Sequence, residues 1–347
     1  MSDDAVVAVP RVRFPDISPR AYEHPADRGA MAALRVTGVT PVLRAVAGLW
    51  SERAERLYAL ASAIRVGERQ YPQLHRLRIE AAETLDLSPM PDLYVSRDPN
   101  ANAYAIGIDQ PFIVLTTGLV ESLDLDCLRC VIGHETGHVL SGHSVLRTLL
   151  MRLLRLQSQV QWVPMGALGL RAVIAALMEW FRKAELTADR AGLLVSQDPQ
   201  AALRQHVFMA GGIDPADIDL PSFLQQAEEY EAVDDLRDSL LKLLTVESMT
   251  HPFAVVRAAQ LQRWAVSDEY HAILAGTYQR RADDQPATSL LDDIRSAGRS
   301  YRQSWSESGD PLTKVFSDVG EAVSGAADRV FGRFGRPANR DGDRQDR

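Results

Sequence analysis

The sequence predicts an α+β protein, mostly helical, with a small antiparallel sheet beside a helix that carries two histidines. Two observations carry this expectation. Apolar residues recur at three- and four-residue intervals over most of the chain, the period of a helix face. Between about residues 90 and 116 the period changes to short β-rich runs bounded by Pro, Asp and Gly.

Taken in order, residues 1–28 are rich in Pro and Arg without a period and read as an extended arm. From Gly29 to Asp86 the spacing is helical, with Leu57, Leu60 and Ile64 as one stripe and Leu74, Leu77, Ile79 and Ala82 as another. Leu93-Tyr94-Val95 and Phe112-Ile113-Val114-Leu115 then read as strands. Between them Asn102, Tyr104, Ile106 and Ile108 alternate with the small Ala103, Ala105 and Gly107, and Asp109-Gln110-Pro111 would turn this strand back on the next. A helix is expected from Ser122 or Asp124 through His138 to about Ser141, where Gly142 can end it.

The chain beyond reads as helical, with breaks near Val163-Pro164, Asp198-Pro199 and Gly211-Gly212. Residues 163–180 are the most apolar stretch and about long enough for one marginal membrane span. Arg171 sits at their centre, a placement costing about 2.5–3.5 kcal/mol, so a buried or membrane-apposed helix is expected instead. Residues 29–278 form the expected domain, with 279–310 as a polar linker. An amphipathic helix follows at 311–334, striped by Leu312, Val315, Phe316, Val319, Val323 and Val330, and then a disordered tail at 335–347.

Bulk properties exclude some functions. With 46 acidic against 38 Lys and Arg residues, the net charge of -8 argues against nucleic acid. The only cysteines, Cys127 and Cys130, lie within the helix expected from residue 122, so they read as small core-side residues rather than a disulfide or redox pair. The acidic start Met1-Ser2-Asp3-Asp4-Ala5 lacks the basic, apolar character of a signal peptide. A cytoplasmic location is expected, with peripheral membrane contact open to 163–180 or the 311–334 helix.

The chemistry concentrates at His134-Glu135-Thr136-Gly137-His138. Two histidines four apart on a helix share one face and can converge on one ion, while Glu135 is offset toward a water on that ion. Zinc lowers the pKa of such a water toward about 7, and a carboxylate can then take its proton. A tetrahedral site needs a third protein ligand. Glu185-Leu186-Thr187-Ala188-Asp189 offers two carboxylates at i and i+4; one can bind metal while the other orients a histidine. Spacing alone does not decide which.

Together with Gly142-His143, these motifs strongly resemble the HtpX-like and CAAX-prenyl-protease-type zinc metallopeptidases of the gluzincin group. Asn100-Ala101-Asn102-Ala103-Tyr104 resembles that family's edge-strand segment, and Thr250-His251-Pro252, with Arg257 and Leu261, its late His-Pro segment. The resemblance spans about residues 90–265. It implies a zincin-like endopeptidase domain with one Zn2+ per chain, held by His134, His138 and Glu185. Glu135 is then the general base, Asp189 orients a ligand, and His251 acts on the oxyanion or as a switch. The strand at Asn102, Ala103, Tyr104 and Ala105 would pair with a peptide or protein substrate, unfolded or extended. His143, five beyond His138, is expected to turn away from the metal and serve structure. Unlike the family's integral-membrane members, this chain lacks several clear transmembrane helices. The competing expectation is a catalytically silent zinc-binding interaction module or membrane-surface scaffold, against which Glu135 speaks.

Overall fold

The computed structural model describes residues 11–36, 52–159, 164–211, 217–232 and 253–284. Helices α1 (Pro25–Val36) and α2 (Glu52–Ser62) lead into strand β1 (Ala63–Arg65), and α3 (Pro72–Thr84) into β2 (Asp92–Ser96), β3 (Ala103–Ile106) and β4 (Phe112–Thr116). The short α4 (Thr117–Ser122) precedes α5 (Leu125–Leu140), α6 (His143–Gln159) and the 33-residue α7 (Pro164–Ser196). α8 (Pro199–Ala210), α9 (Leu220–Ala232), α10 (Ala254–Ala265) and α11 (Asp268–Leu274) complete the described helices. The mostly helical α+β architecture is the expected one.

The sheet runs β1-β2-β4-β3. β1–β2 and β3–β4 pair antiparallel, but β2 and β4 pair parallel, Leu93 opposite Ile113. The sheet is therefore mixed rather than antiparallel, because the hairpin that returns β3 onto β4 leaves β4 running alongside β2. β4, Phe-Ile-Val-Leu-Thr, is buried throughout, as a strand covered on both faces should be. β3 lies at the edge. Its Ala103 and Ala105 join the core that holds Leu128, Val131 and Ile132 of α5, and these small side chains let strand and helix lie close. Tyr104 and Ile106 pack on the opposite face with Tyr94, Phe112 and Val114.

Two expectations at the N-terminal side are corrected. The stripe at Leu57, Leu60 and Ile64 is neither continuous helix nor core: Ile64 lies in β1, and all three are about half exposed. Residues 11–24 hold one 3-10 turn, Pro19–Ala21, and are otherwise irregular, but they pack into the domain instead of forming an extended arm. Phe14, Ile17 and Tyr22 are fully buried, and α1 starts at Pro25. This segment is stitched to residues 278–284: Ser18 N–H donates to Gln279 O at 3.0 Å, the Ser18 hydroxyl to Asp284, and Arg281 contacts Asp16 and Asp86.

From Pro164 onward, the apolar stretch forms the start of α7. Val173, Ile174, Leu177 and Trp180 are buried against Leu34 of α1 and Leu149, Leu150 and Leu153 of α6. That half of the stretch is apolar because it is core. Among the described residues no helix is long and apolar enough to cross a membrane. The 311–334 helix and the linker before it lie outside the described residues.

α5 and α7 pack along a seam of very small residues. A Cβ at Gly137 would fall 2.3 Å from Ala191 Cβ, so glycine is required for the two backbones to approach as they do. This seam sets the separation between the helix carrying the histidines and the helix carrying Glu185.

Candidate metal centre

α5 begins where Asp124 Oδ1 accepts the Cys127 N–H at 2.7 Å, and it ends at Gly142, whose φ of 72° is a left-handed helix stop. The sixteen residues of the helix are enough to bury His134 and His138 side by side in the middle of the molecule. Cys127 and Cys130, one turn and more upstream, are buried free thiols. Burial pushes both up to about 12, so they stay protonated and inert.

The structure brings His134, His138 and Glu185 together. His134 Nε2 and His138 Nε2 are 3.1 Å apart, His138 Nε2 is 3.1 Å from Glu185 Oε1, and His134 Nε2 is 3.7 Å from Glu185 Oε2. All three residues are buried, and theirs is the one His/Cys/Asp/Glu group among the described residues arranged to hold a metal ion. Ligands at about 2.0–2.1 Å around a tetrahedral zinc stand about 3.3–3.4 Å from each other, so the donor set fits such an ion. Burial pushes His138 down to about 4, which keeps its lone pair available.

Each imidazole is held from behind. Asp189 Oδ1 lies 3.0 Å from His134 Nδ1 and is gripped by Arg257, with Nη2 at 2.6 Å and Nε at 2.8 Å from its two oxygens. Burial opposes charge on Asp189, but Arg257 and His206 outweigh it and hold the carboxyl well below its usual range. Burial likewise disfavours a charged His134, yet the Asp189 hydrogen bond and Glu185 hold its pKa above the ordinary value. The third Arg257 nitrogen, Nη1, is 2.8 Å from Glu185 Oε2, so one guanidinium ties both carboxylates of α7 together. His138 Nδ1 faces His143 Nδ1 at 3.1 Å. The left-handed turn at Gly142 folds His143 back beneath His138, where it faces the nitrogen turned away from Glu185 and stays outside the ligand group.

Glu135 is buried beside the histidines, and its Oε2 has no hydrogen-bond partner. Arg147 Nη1, equally unpartnered, is 3.9 Å away, with its guanidinium over the rings of Phe181 and Tyr104. Ala103 of the edge strand lines one cavity with His134, Glu135, His206 and Arg257. Of the strand singled out at Asn102, Ala103, Tyr104 and Ala105, Ala103 thus borders the same space as His134 and Glu135. His251 lies outside the described residues. Reading the sequence missed Asp27 and the roles of His143, Arg147 and His206; no periodic spacing connects them to the histidine pair.

The family model for Peptidase family M48 matches residues 68–265. The chain is 35% identical over 274 residues to the plastoglobule-localized metallopeptidase 48, chloroplastic, of Arabidopsis thaliana, covering 77% of this chain and 78% of that protein. It is 25% identical to a protease HtpX homolog of Streptococcus gordonii over 71% of this chain and 73% of the relative. A protease HtpX homolog of Helicobacter pylori is 39% identical over 84 residues, 24% of this chain and 27% of the relative. No solved structure matches the chain.

Proposed function

Because the chain belongs to peptidase family M48, and is therefore a metallopeptidase, we propose that it is a zinc endopeptidase acting on unfolded or extended protein segments. His134, His138 and Glu185 are the proposed ligands, and Glu135 the general base. The observation that carries the reading is the convergence of two imidazole nitrogens and a carboxylate at 3.1–3.7 Å, with an unpartnered carboxylate oxygen of Glu135 next to them.

A zinc ion held by His134, His138 and Glu185 would supply the Lewis acidity that polarises a carbonyl and activates water near neutral pH. Glu135 Oε2 would accept a proton from the attacking water and hand it to the departing amine nitrogen, general base and then general acid. Its lack of a hydrogen-bond partner leaves the oxygen available for both transfers. Asp189 holds His134 with its Nε2 aimed inward, and Arg257 fixes Asp189 and Glu185 in place.

β3 supplies the substrate register. An extended segment laid along the sheet edge runs past Ala103, which shares a cavity wall with Glu135. Recognition by strand addition reads backbone rather than side chains, and it requires the substrate to be locally unfolded. His251 is proposed to act on the oxyanion or as a switch.

Replacing Glu135 with Gln removes the base and keeps the ligands. Cleavage of unfolded casein should fall by about 10²–10⁴-fold or more, with zinc content by elemental analysis unchanged. Casein hydrolysis at the wild-type rate by Glu135→Gln would exclude Glu135 as the base, and a zinc-loaded wild-type chain that cleaves no unfolded protein would exclude the endopeptidase reading.

A further inference from the structure

His134 is oriented by Asp189; the support of His138 runs the other way, into a segment outside the matched 68–265 region. His138 Nδ1 faces His143 Nδ1 at 3.1 Å, and His143 Nε2 is 3.1 Å from Asp27 Oδ2 on α1. The Thr187 hydroxyl donates to that same Asp27 oxygen at 2.6 Å and itself accepts the His24 N–H at 3.0 Å. Asp27, His138, His143 and Thr187 are all buried, so water does not compete for these bonds.

We propose that Asp27 is a positioning residue for the metal centre, acting through His143 to fix the tautomer of His138. A carboxylate only accepts, so Asp27 requires the hydrogen of His143 on Nε2. His143 Nδ1 is then a bare acceptor, and the imidazole facing it must donate. The hydrogen of His138 is thereby placed on Nδ1, which leaves Nε2 with a free lone pair directed at His134 and Glu185. With the opposite tautomer of His143, a hydrogen on Nδ1 would point at His138 Nδ1. The His138 hydrogen would move to Nε2, and the nitrogen needed for the metal would be blocked. Thr187 lies two residues from Glu185 on α7, so the same carboxylate also registers α1 against the helix that brings the third proposed ligand.

The inference rests on the metal site proposed above, and zinc affinity measured on the full chain separates the two. Asp27→Asn keeps the shape of the side chain, and His143→Gln replaces the ring by an amide of similar reach. An amide at 27 can donate as well as accept and no longer dictates the tautomer, while a glutamine at 143 can accept from His138 Nδ1 without help from Asp27. Chelator competition should show zinc bound about 10–100-fold more weakly by Asp27→Asn, with the metal-free protein still melting cooperatively as a folded chain. In the His143→Gln background, Asp27→Asn should cost no further affinity. Wild-type affinity in Asp27→Asn, or an equal loss in both backgrounds, overturns the relay while leaving the metal site standing. A wild-type chain without zinc affinity overturns both.

Discussion

Gly137→Ala tests whether the α5–α7 seam sets the geometry of the metal centre. The added Cβ would sit 2.3 Å from Ala191 Cβ. Carbons rest at about 3.5–4.0 Å, so the helices must separate locally by more than about 1 Å. Overpacking of this kind costs about 1–3 kcal/mol. Replacing a glycine inside a helix by alanine returns about 1 kcal/mol of intrinsic stability, so the net loss in folding should be only about 0–2 kcal/mol. Ligand distances tolerate only about 0.2 Å, so the metal-free protein relieves the clash by opening the seam, and zinc must close it again. Strain of about 1–3 kcal/mol restored on binding corresponds to an affinity loss of about 5–150-fold. Chelator competition on the purified variant, beside thermal melting of its metal-free form, measures both quantities. A folded Gly137→Ala protein with wild-type zinc affinity refutes the claim that this seam governs the centre.

Other expectations follow from the same geometry. Glu185→Ala should lose most of its zinc on dialysis, and full retention would move the third ligand elsewhere. Asp189→Asn frees Arg257 and weakens the hold on His134, so zinc affinity should drop about 10–100-fold; an unchanged value would make Asp189 a bystander. Cys127 and Cys130, both pushed up to about 12, should resist alkylation at pH 8 until the chain is denatured, and prompt labelling of the native protein would contradict their burial. His24 is held down to about 3, chiefly by burial, and its Nδ1 accepts the Ala26 N–H at the head of α1. The unfolded chain therefore binds a proton below pH 6.5 that the folded chain refuses until about pH 3, so stability falls as pH falls through that window. Relative to His24→Asn in metal-free urea titrations, the wild type should lose up to about 1.4 kcal/mol per pH unit below 6.5. A constant difference across pH 5–7.5 would show that His24 titrates normally.

The residues legible in the sequence were those whose relation is carried by one element. His134 and His138 share a helix face by their spacing, as do Glu185 and Asp189, and Asp124 and Gly142 announce the ends of the helix between them. The return of β3 onto β4 was legible from its turn residues. What escaped notice depends on packing between elements distant in sequence. Asp27 reaches His143 from α1, Arg257 reaches Asp189 from α10, and no spacing encodes either meeting. β1 was hidden because Leu57, Leu60 and Ile64 mimic a helical stripe, although these side chains are half exposed. The parallel β2–β4 pair was missed because two buried apolar strands look the same in either direction. The apolar composition of residues 163–180 left a membrane-apposed helix open beside a buried one, because residues 173–180, packed against α1 and α6, need the same apolar side chains as a membrane face.

The stitching of residues 14–18 to 278–284 also bears on the order in which the protein can be made. The bond from Ser18 to Asp284 spans 266 residues. At about 5–20 residues per second, the early segment waits roughly 13–50 s for its partner to be synthesised. Contacts this far apart in sequence form last, since the loop they close must be ordered first. Arg257, which locks Asp189 and Glu185, is also a late arrival. A growing chain therefore carries both histidines long before it carries the residues that set them, and the centre is completed only when nearly the whole domain has left the ribosome.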